Sequence, residues 1–308
     1  MRSAVIDSIY NQMKENNNVY FLTGDLGFSV VEKIEADFPD RFINAGIAEQ
    51  HMIGLAAGLA LTGKKVYVYS IIPFVTMRCF EQVRNDLCYH NLDVTLVGAG
   101  AGLSYGILSA THFALEDIAI LRPLPHMSIF SPSDATTATL GMKYLSSHKG
   151  PAYVRIGKKV EPTIYEKPFA FEFGKAQVIC EGRDILIVAS GPIMQEALLA
   201  AKLLSKQHLS ATVIDIHTIK PFDHLAIQNH AKGKKLIVTV EEHSVTGGLG
   251  SAALESLAEY AHAPVLRIGT GDEFIKVTGT QEYLRGVVGL TALDIAKKIE
   301  KALLGTEI

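Results

Sequence analysis

Glu49 is the one carboxylate between Asn44 and Gly63, and it stands where a helix would start. Downstream, Gly54, Ala56, Ala57, Gly58 and Ala60 leave almost no polar face, which predicts a helix packed on most of its sides. A carboxyl at such a helix start has two uses. It can complement the free N–H groups and the dipole of its own first turn. Alternatively, it is buried and needs a partner, because desolvation disfavours its charged form by as much as roughly 3–5 units when burial is complete.

Other chemistry-bearing residues are scattered. His112 follows Thr111 in an uncharged stretch, and an imidazole there can shuttle protons near neutral pH or simply serve as a structural side chain. Arg78, Glu81 and Arg84 fall at helical spacing and read as a surface charge ladder. The glycine run from Gly98 to Gly102 follows a strand pattern, but Leu103 to Ser109 opens no convincing helix, which argues against a dinucleotide loop.

The elements that must position these residues read as an α/β protein. Apolar runs alternate with helical periods along the whole chain, the pattern of a parallel sheet covered by helices. Strands are expected near Val19–Leu22, Phe42–Asn44, Val66–Ser70, Val94–Gly98, Met127–Phe130 and Ala152–Ile156, then near Ile185–Ala189, Ala211–Ile216, Leu236–Glu241 and Val265–Ile268. Between them, Lys158 to Gly174 holds two prolines and alternating charge without a sustained period. This predicts one domain over 1–160, a linker over 161–175 and a second domain over 176–308.

Composition sets the outer bounds. With 308 residues, 48% of them hydrophobic, the chain can bury two ordinary cores. A net charge of −3 with no basic run argues against nucleic acid and anionic membrane as partners. Cys79, Cys88 and Cys180 are odd in number and lack metal-ligand spacing, which suggests core residues in a reducing compartment. The N-terminal run carries Asp7 among its apolar residues and reads as an amphipathic helix rather than a signal peptide, consistent with the cytoplasm. Val94 to Leu115 is uncharged and long enough to span a bilayer, but its glycines and hydroxyl residues point to a buried strand followed by an active-site loop.

The string Gly46-Ile-Ala-Glu-Gln-His51, followed by Gly54-Leu-Ala-Ala-Gly-Leu-Ala60, resembles the pyrimidine-binding segment of the transketolase family, including 1-deoxy-xylulose-5-phosphate synthases and split transketolases. Three further segments, Asp184–Gly191, Asp215–Asp223 and Val240–Ser251, resemble that family's C-terminal domain in the same order. The 2-oxo-acid dehydrogenase β subunits share that domain. The resemblance covers nearly the full chain and implies two domains, each a mostly parallel sheet covered by helices.

By that resemblance Glu49 binds N1′ of the aminopyrimidine of thiamine diphosphate, where a proton-donating carboxyl favours the 4′-imino tautomer that activates the cofactor. The protein supplies tautomer control and orientation, and the cofactor does the carbon chemistry. Phe74, or else Phe80, is the implied ring that stacks on the pyrimidine, a contact worth about 0.5–1.5 kcal/mol beyond area burial. His112 matches a family imidazole near the reacting carbons. Arg155 and Arg2 match arginines that hold a substrate phosphate, for which a planar guanidinium is well suited. Glu116 and Asp117 read as charges at a helix start, and Glu241, Glu242 and His243 as structural or interface residues.

The departures also carry information. The family holds Mg²⁺ and the diphosphate through a Gly-Asp-Gly element, whereas here Gly24-Asp25 and Gly271-Asp272 are each followed by another residue. The implied arrangement is a C-terminal subunit of a split enzyme, dimeric, with thiamine diphosphate shared with an N-terminal partner subunit that binds Mg²⁺. Leu108 and Gly100 stand where sugar-phosphate transketolases place a substrate-binding Asp and a phosphate-binding His. A phosphorylated sugar is therefore an open expectation. A 1-deoxy-xylulose-5-phosphate synthase-like subunit, a 2-oxo-acid dehydrogenase β-type subunit and a non-catalytic homologue are the alternatives.

Overall fold

A computed structural model describes residues 1–27, 29–167 and 169–305. Its first half supplies β1 (Val19–Thr23), β2 (Phe42–Asn44), β3 (Lys65–Ile71), β4 (Val94–Ala99), β5 (Ser128–Phe130) and β6 (Ala152–Ile156). The second half supplies β7 (Gln177–Cys180), β8 (Ile185–Ala189), β9 (Ala211–Asp215), β10 (Thr218–Lys220), β11 (Leu236–Ser244) and β12 (Val265–Thr270). They form a seven-stranded sheet in the order β10-β5-β6-β4-β3-β1-β2 and a five-stranded sheet in the order β12-β11-β8-β9-β7.

Both sheets are parallel except at one edge each, where β10 and β7 run antiparallel. The inner parallel strands are buried on both faces, whereas the parallel edge strands β2 and β12 are only partly buried, and alternation along the inner strands assigns side chains to two cores. On β1 and β3, Phe21, Tyr67 and Tyr69 pack toward the Arg2–Glu15 helix, whereas Leu22, Val66 and Val68 pack toward the Glu49–Leu61 helix. The Arg2–Glu15 helix is amphipathic as expected, with Val5, Ile6, Ile9 and Met13 buried and Asp7 exposed.

Strands β7 and β10 are the elements the sequence pattern did not single out. Each is short, and edge pairing rather than a continuous apolar run defines it. Strand β10 lies in the second half of the sequence yet pairs with β5 of the first sheet, Thr218 opposite Phe130. The segment expected as a linker is also tied down: the backbone N–H groups of Ile164 and Tyr165 donate to Asp134 Oδ2, and the Tyr165 hydroxyl donates to Asp215. Pro168 of that segment and residues 306–308 of the expected second domain lie outside the described residues.

Two packing expectations need correction. The Glu49–Leu61 helix is not enclosed in the single chain: Gln50, His51, Gly54, Gly58 and Leu61 are exposed, and a Cβ added at Gly54 or Gly58 would meet nothing within 4 Å. Cys79 and Cys88 are buried, but Cys180 is exposed because it lies on the edge strand β7. Among the described residues no helix is long and apolar enough to cross a membrane.

Candidate active site

In a parallel sheet the loops after the carboxyl ends of the strands converge on one edge, which is where α/β proteins place ligands. Glu49 follows β2, Phe74 and Arg78 follow β3, Tyr105 and His112 follow β4, and Lys158 follows β6. Arg2 joins them because the Arg2–Glu15 helix precedes β1 and runs back along the sheet.

These residues form a chain of contacts. The Glu49 side chain is only 3% exposed, and its Oε2 accepts a 2.6 Å hydrogen bond from Arg78 Nη1. The Arg78 guanidinium also lies over the Phe74 ring at 4.2 Å. Phe74 meets the His112 imidazole edge-on at 5.1 Å, and Tyr105 approaches His112 at 5.7 Å. Lys158 Nζ sits 4.6 Å from the Tyr105 ring centre. The charge of Arg2 acts on both Tyr69 and Tyr105.

Glu49 stands in the first turn of its helix, yet among the described residues its side chain bonds Arg78 and no backbone N–H of that turn. Its carboxylate faces the site instead, beneath Gly24, where an added Cβ would lie 3.6 Å from Glu49 Cγ. The arrangement fits the pyrimidine end of thiamine diphosphate: a buried carboxylate at a glycine-lined floor, with a flat ring beside it. Arg78 holds Glu49 Oε2, so a ring nitrogen bound at this floor would share the carboxylate with it. Its reach to Glu49, 29 positions away, replaces the expected surface charge ladder. Among the described residues, Arg84 bonds its neighbour Asn85.

The two candidate stacking rings are separated by their surroundings. Phe74 touches Arg78 and His112, whereas Phe80 packs against the hydrophobic core. Desolvation holds the His112 pKa below the usual imidazole range, aided by the charges of Lys158 and Arg78, while a backbone contact at Leu108 opposes them. A mainly neutral ring near pH 7 follows, with Nδ1 2.9 Å from the Thr111 hydroxyl. Gly100 has φ +96°, and a Cβ there would lie 2.1 Å from the Tyr105 ring. Tyr105 thus fills the space in which a side chain at position 100 would stand.

Arg155 does not fit the role expected of it. It is 2% exposed, and its Nε donates to Asp117 Oδ2 at 2.7 Å while Nη2 donates to the carbonyls of Ala114 and Glu242. Asp117 opens the Asp117–Leu121 helix as expected, but it is fully buried there and also accepts from the Tyr153 hydroxyl. The guanidinium is a tie between the two halves of the chain and not a surface for a phosphate. Lys158, which nothing in the local sequence singled out, stands beside Tyr105.

Glu241, Glu242 and His243 are buried within the chain. Glu241 accepts from the N–H groups of Leu249 and Gly250, and burial pushes its pKa up to about 7. Burial also pushes the His243 imidazole down to about 4. Among the described residues no group of three or more His, Cys, Asp or Glu side chains converges as a metal centre.

Fold and site together define a two-domain α/β protein whose first sheet presents a buried helix-start carboxylate and an aromatic ring at its carboxyl edge. Residues 1–162 match the transketolase pyrimidine binding domain and residues 174–295 the transketolase C-terminal domain, so the chain belongs to the transketolase family. It is 36% identical to a 6-deoxy-6-sulfo-D-fructose transketolase subunit of Clostridium sp. (strain MSTE9), over 96% of this chain and 92% of that protein. It is 37% identical to an apulose-4-phosphate transketolase subunit of Phocaeicola vulgatus, over 96% of this chain and 97% of that protein. A 1-deoxy-D-xylulose-5-phosphate synthase of Bordetella parapertussis is 40% identical over 89% of this chain but only 43% of its own length. Among solved structures, a split gene transketolase described as an inactive beta4 tetramer superposes with a TM-score of 0.88 at 37% identity, covering 99% of this chain and 98% of that one.

Proposed function

We propose that the chain is the C-terminal subunit of a thiamine-diphosphate-dependent transketolase that transfers a two-carbon ketol unit between anionic sugars. The observation that carries this reading is Glu49, buried at a helix start and linked through Arg78 to Phe74 and His112. The bound cofactor supplies a nucleophilic thiazolium carbon. Glu49 holds a proton at N1′, Phe74 orients the pyrimidine ring, and His112 hydrogen-bonds or exchanges a proton with the substrate oxygens.

Mg²⁺ and the diphosphate are assigned to a separate N-terminal transketolase-like subunit. This is supported by the lack of a Gly-Asp-Gly element in the sequence and by the near full-length match to proteins named as transketolase subunits. The exposed small-residue face of the Glu49–Leu61 helix supports self-association, giving a dimer of this chain with two partner chains. We place the assembly in the cytoplasm. The relatives are named for a sulfonated and a phosphorylated sugar, and Lys158 and Arg2 supply cationic groups suited to either anion.

A pyruvate-using, 1-deoxy-xylulose-5-phosphate synthase-like subunit is the second reading, favoured by the 40% identity to that enzyme. Co-expression with a Mg²⁺-site subunit, then assay with thiamine diphosphate and a panel of ketose and pyruvate donors, separates the two. Ketose turnover supports the main reading and pyruvate turnover the second. No turnover with any matching partner overturns both and leaves a non-catalytic homologue.

A further inference from the structure

We infer that Glu242, on strand β11 of the second domain, is a positioning residue that anchors the loop carrying Tyr105 and His112. The inference rests on the reading of His112 given above. Glu242 is 3% exposed and reaches across the domain boundary. Its Oε1 accepts from the Leu103 N–H at 2.7 Å and from Gln281 Nε2 at 2.8 Å. Its Oε2 accepts from Arg285 Nε and Nη2 at 2.7 and 2.6 Å. Arg285 and Gln281 belong to one short helix, Gln281–Val287, so the carboxylate is gripped from the second domain on one side and grips the loop on the other.

The loop is also packed on the second domain through Leu103 and Phe113, which are buried with Leu284 of the same helix, but Glu242 is the charged group that bonds its backbone. The loop's ends meet where the Ala114 N–H donates to the Gly102 carbonyl, so residues 103–113 form a closed excursion with His112 near its return. Close approach at Gly102 and Gly106 seats that excursion on the second domain. A Cβ at Gly102 would lie 2.5 Å from Glu242 Cγ, and one at Gly106 2.2 Å from the Gly279 carbonyl oxygen. Ser104 Oγ adds a 3.3 Å contact to Gln281 Nε2. A buried carboxylate bonded to a backbone N–H resists displacement because breaking that bond leaves a desolvated donor unpaired. Catalytic geometry is sensitive to displacements of about 1 Å, so an anchor far from the reacting atoms can set turnover.

Substitutions at Glu242, with His112→Ala and Gln281→Leu beside them, test this. Glu242→Ala removes the acceptor from Leu103, and Glu242→Gln keeps an oxygen there while removing the charge opposite Arg285. Hydrogen exchange on the full chain should accelerate about tenfold or more at amides 103–112 in Glu242→Ala, and by less in Glu242→Gln, which keeps an acceptor for Leu103 but turns an NH2 group toward the Arg285 donors. With the partner subunit, Glu242→Ala should lower kcat by about tenfold to a hundredfold with cofactor affinity retained. Adding it to His112→Ala should cost little more, because both changes remove one function.

Unchanged exchange in Glu242→Ala, or losses that multiply with His112→Ala, would each overturn the positioning role. If Glu242→Ala does not fold, Gln281→Leu carries the same exchange test, since it loosens the loop while leaving the Arg285 pair. Full activity in His112→Ala would sink the reading of His112, whereas loop exchange would still decide the anchoring.

Discussion

Arg78 Nη1 lies 2.6 Å from Glu49 Oε2, although Arg78 is 44% exposed and Glu49 is 3% exposed. The pair therefore joins a solvated cation to a buried carboxylate on the site floor. Its contribution to stability is limited by the solvent on the arginine, and a double-mutant cycle between Glu49→Gln and Arg78→Ala should give a coupling below about 1 kcal/mol in urea unfolding. Glu49→Gln should nevertheless lower turnover by at least about a hundredfold while the variant still co-purifies with the partner subunit. Retained activity would remove Glu49 from its assigned role.

Phe74 and Phe80 should respond differently to truncation. Phe74→Ala removes a ring that faces Arg78 and His112, so cofactor affinity should weaken about two- to tenfold with little change in Tm. Phe80→Ala removes a ring packed on the core, so Tm should fall by several degrees with cofactor affinity less affected. Titrating the cofactor into each assembled variant, beside a thermal melt, checks both. A reversed pattern would exchange their roles.

Arg155→Met should act on stability and not on substrate anion binding. It leaves Asp117 buried without its cation, a change that costs about 3–5 kcal/mol where a buried pair is broken from one side. Urea unfolding should report that loss. A selective rise in KM for a phosphorylated substrate with unchanged stability would restore Arg155 as a phosphate ligand.

Asp215 gives a pH dependence with a definite sign. Burial pushes its pKa up from 3.8 to about 7, against the hydrogen bonds donated by the Ser133 and Tyr165 hydroxyls. The folded state holds the proton to higher pH than the unfolded state does. Its contribution is thus fully present below about pH 4 and lost as pH rises through about 7. The unfolding free energy of the parent minus that of Asp215→Asn should fall by a few kcal/mol, to order of magnitude, across that window and level off above it. Chemical unfolding of both proteins at pH 5, 6, 7 and 8 measures this. A difference that does not change with pH would contradict the protonated state.

Much of the fold was legible because buried parallel strands are written as continuous apolar runs. The segments near Val19, Val66, Val94, Ala152, Ile185, Ala211 and Leu236 all became strands within a residue or two of their expected bounds, except that β11 runs on to Ser244. The antiparallel edges, β7 and β10, carry no such run, and β10 pairs only because the second half of the chain brings it beside β5. Glu49 was legible for a related reason: a lone carboxylate in an apolar helix start is a local anomaly that needs no tertiary information to be seen.

What the sequence by itself determined is the two-domain α/β plan, the family and the location of the helix-start carboxylate, all of them encoded in local pattern. The tertiary structure alone decided which charges meet. Arg78 looked like one rung of a surface ladder until the turn after β3 aimed it at Glu49. Arg155 looked like an anion ligand until the second domain buried it against Asp117 and the Glu242 carbonyl. Glu242 and Leu103 are 139 positions apart, and no periodicity could join them. The physical reason is common to all three: a side chain's partner depends on the packing of distant elements, and local residue pattern specifies the elements without specifying which of their faces meet.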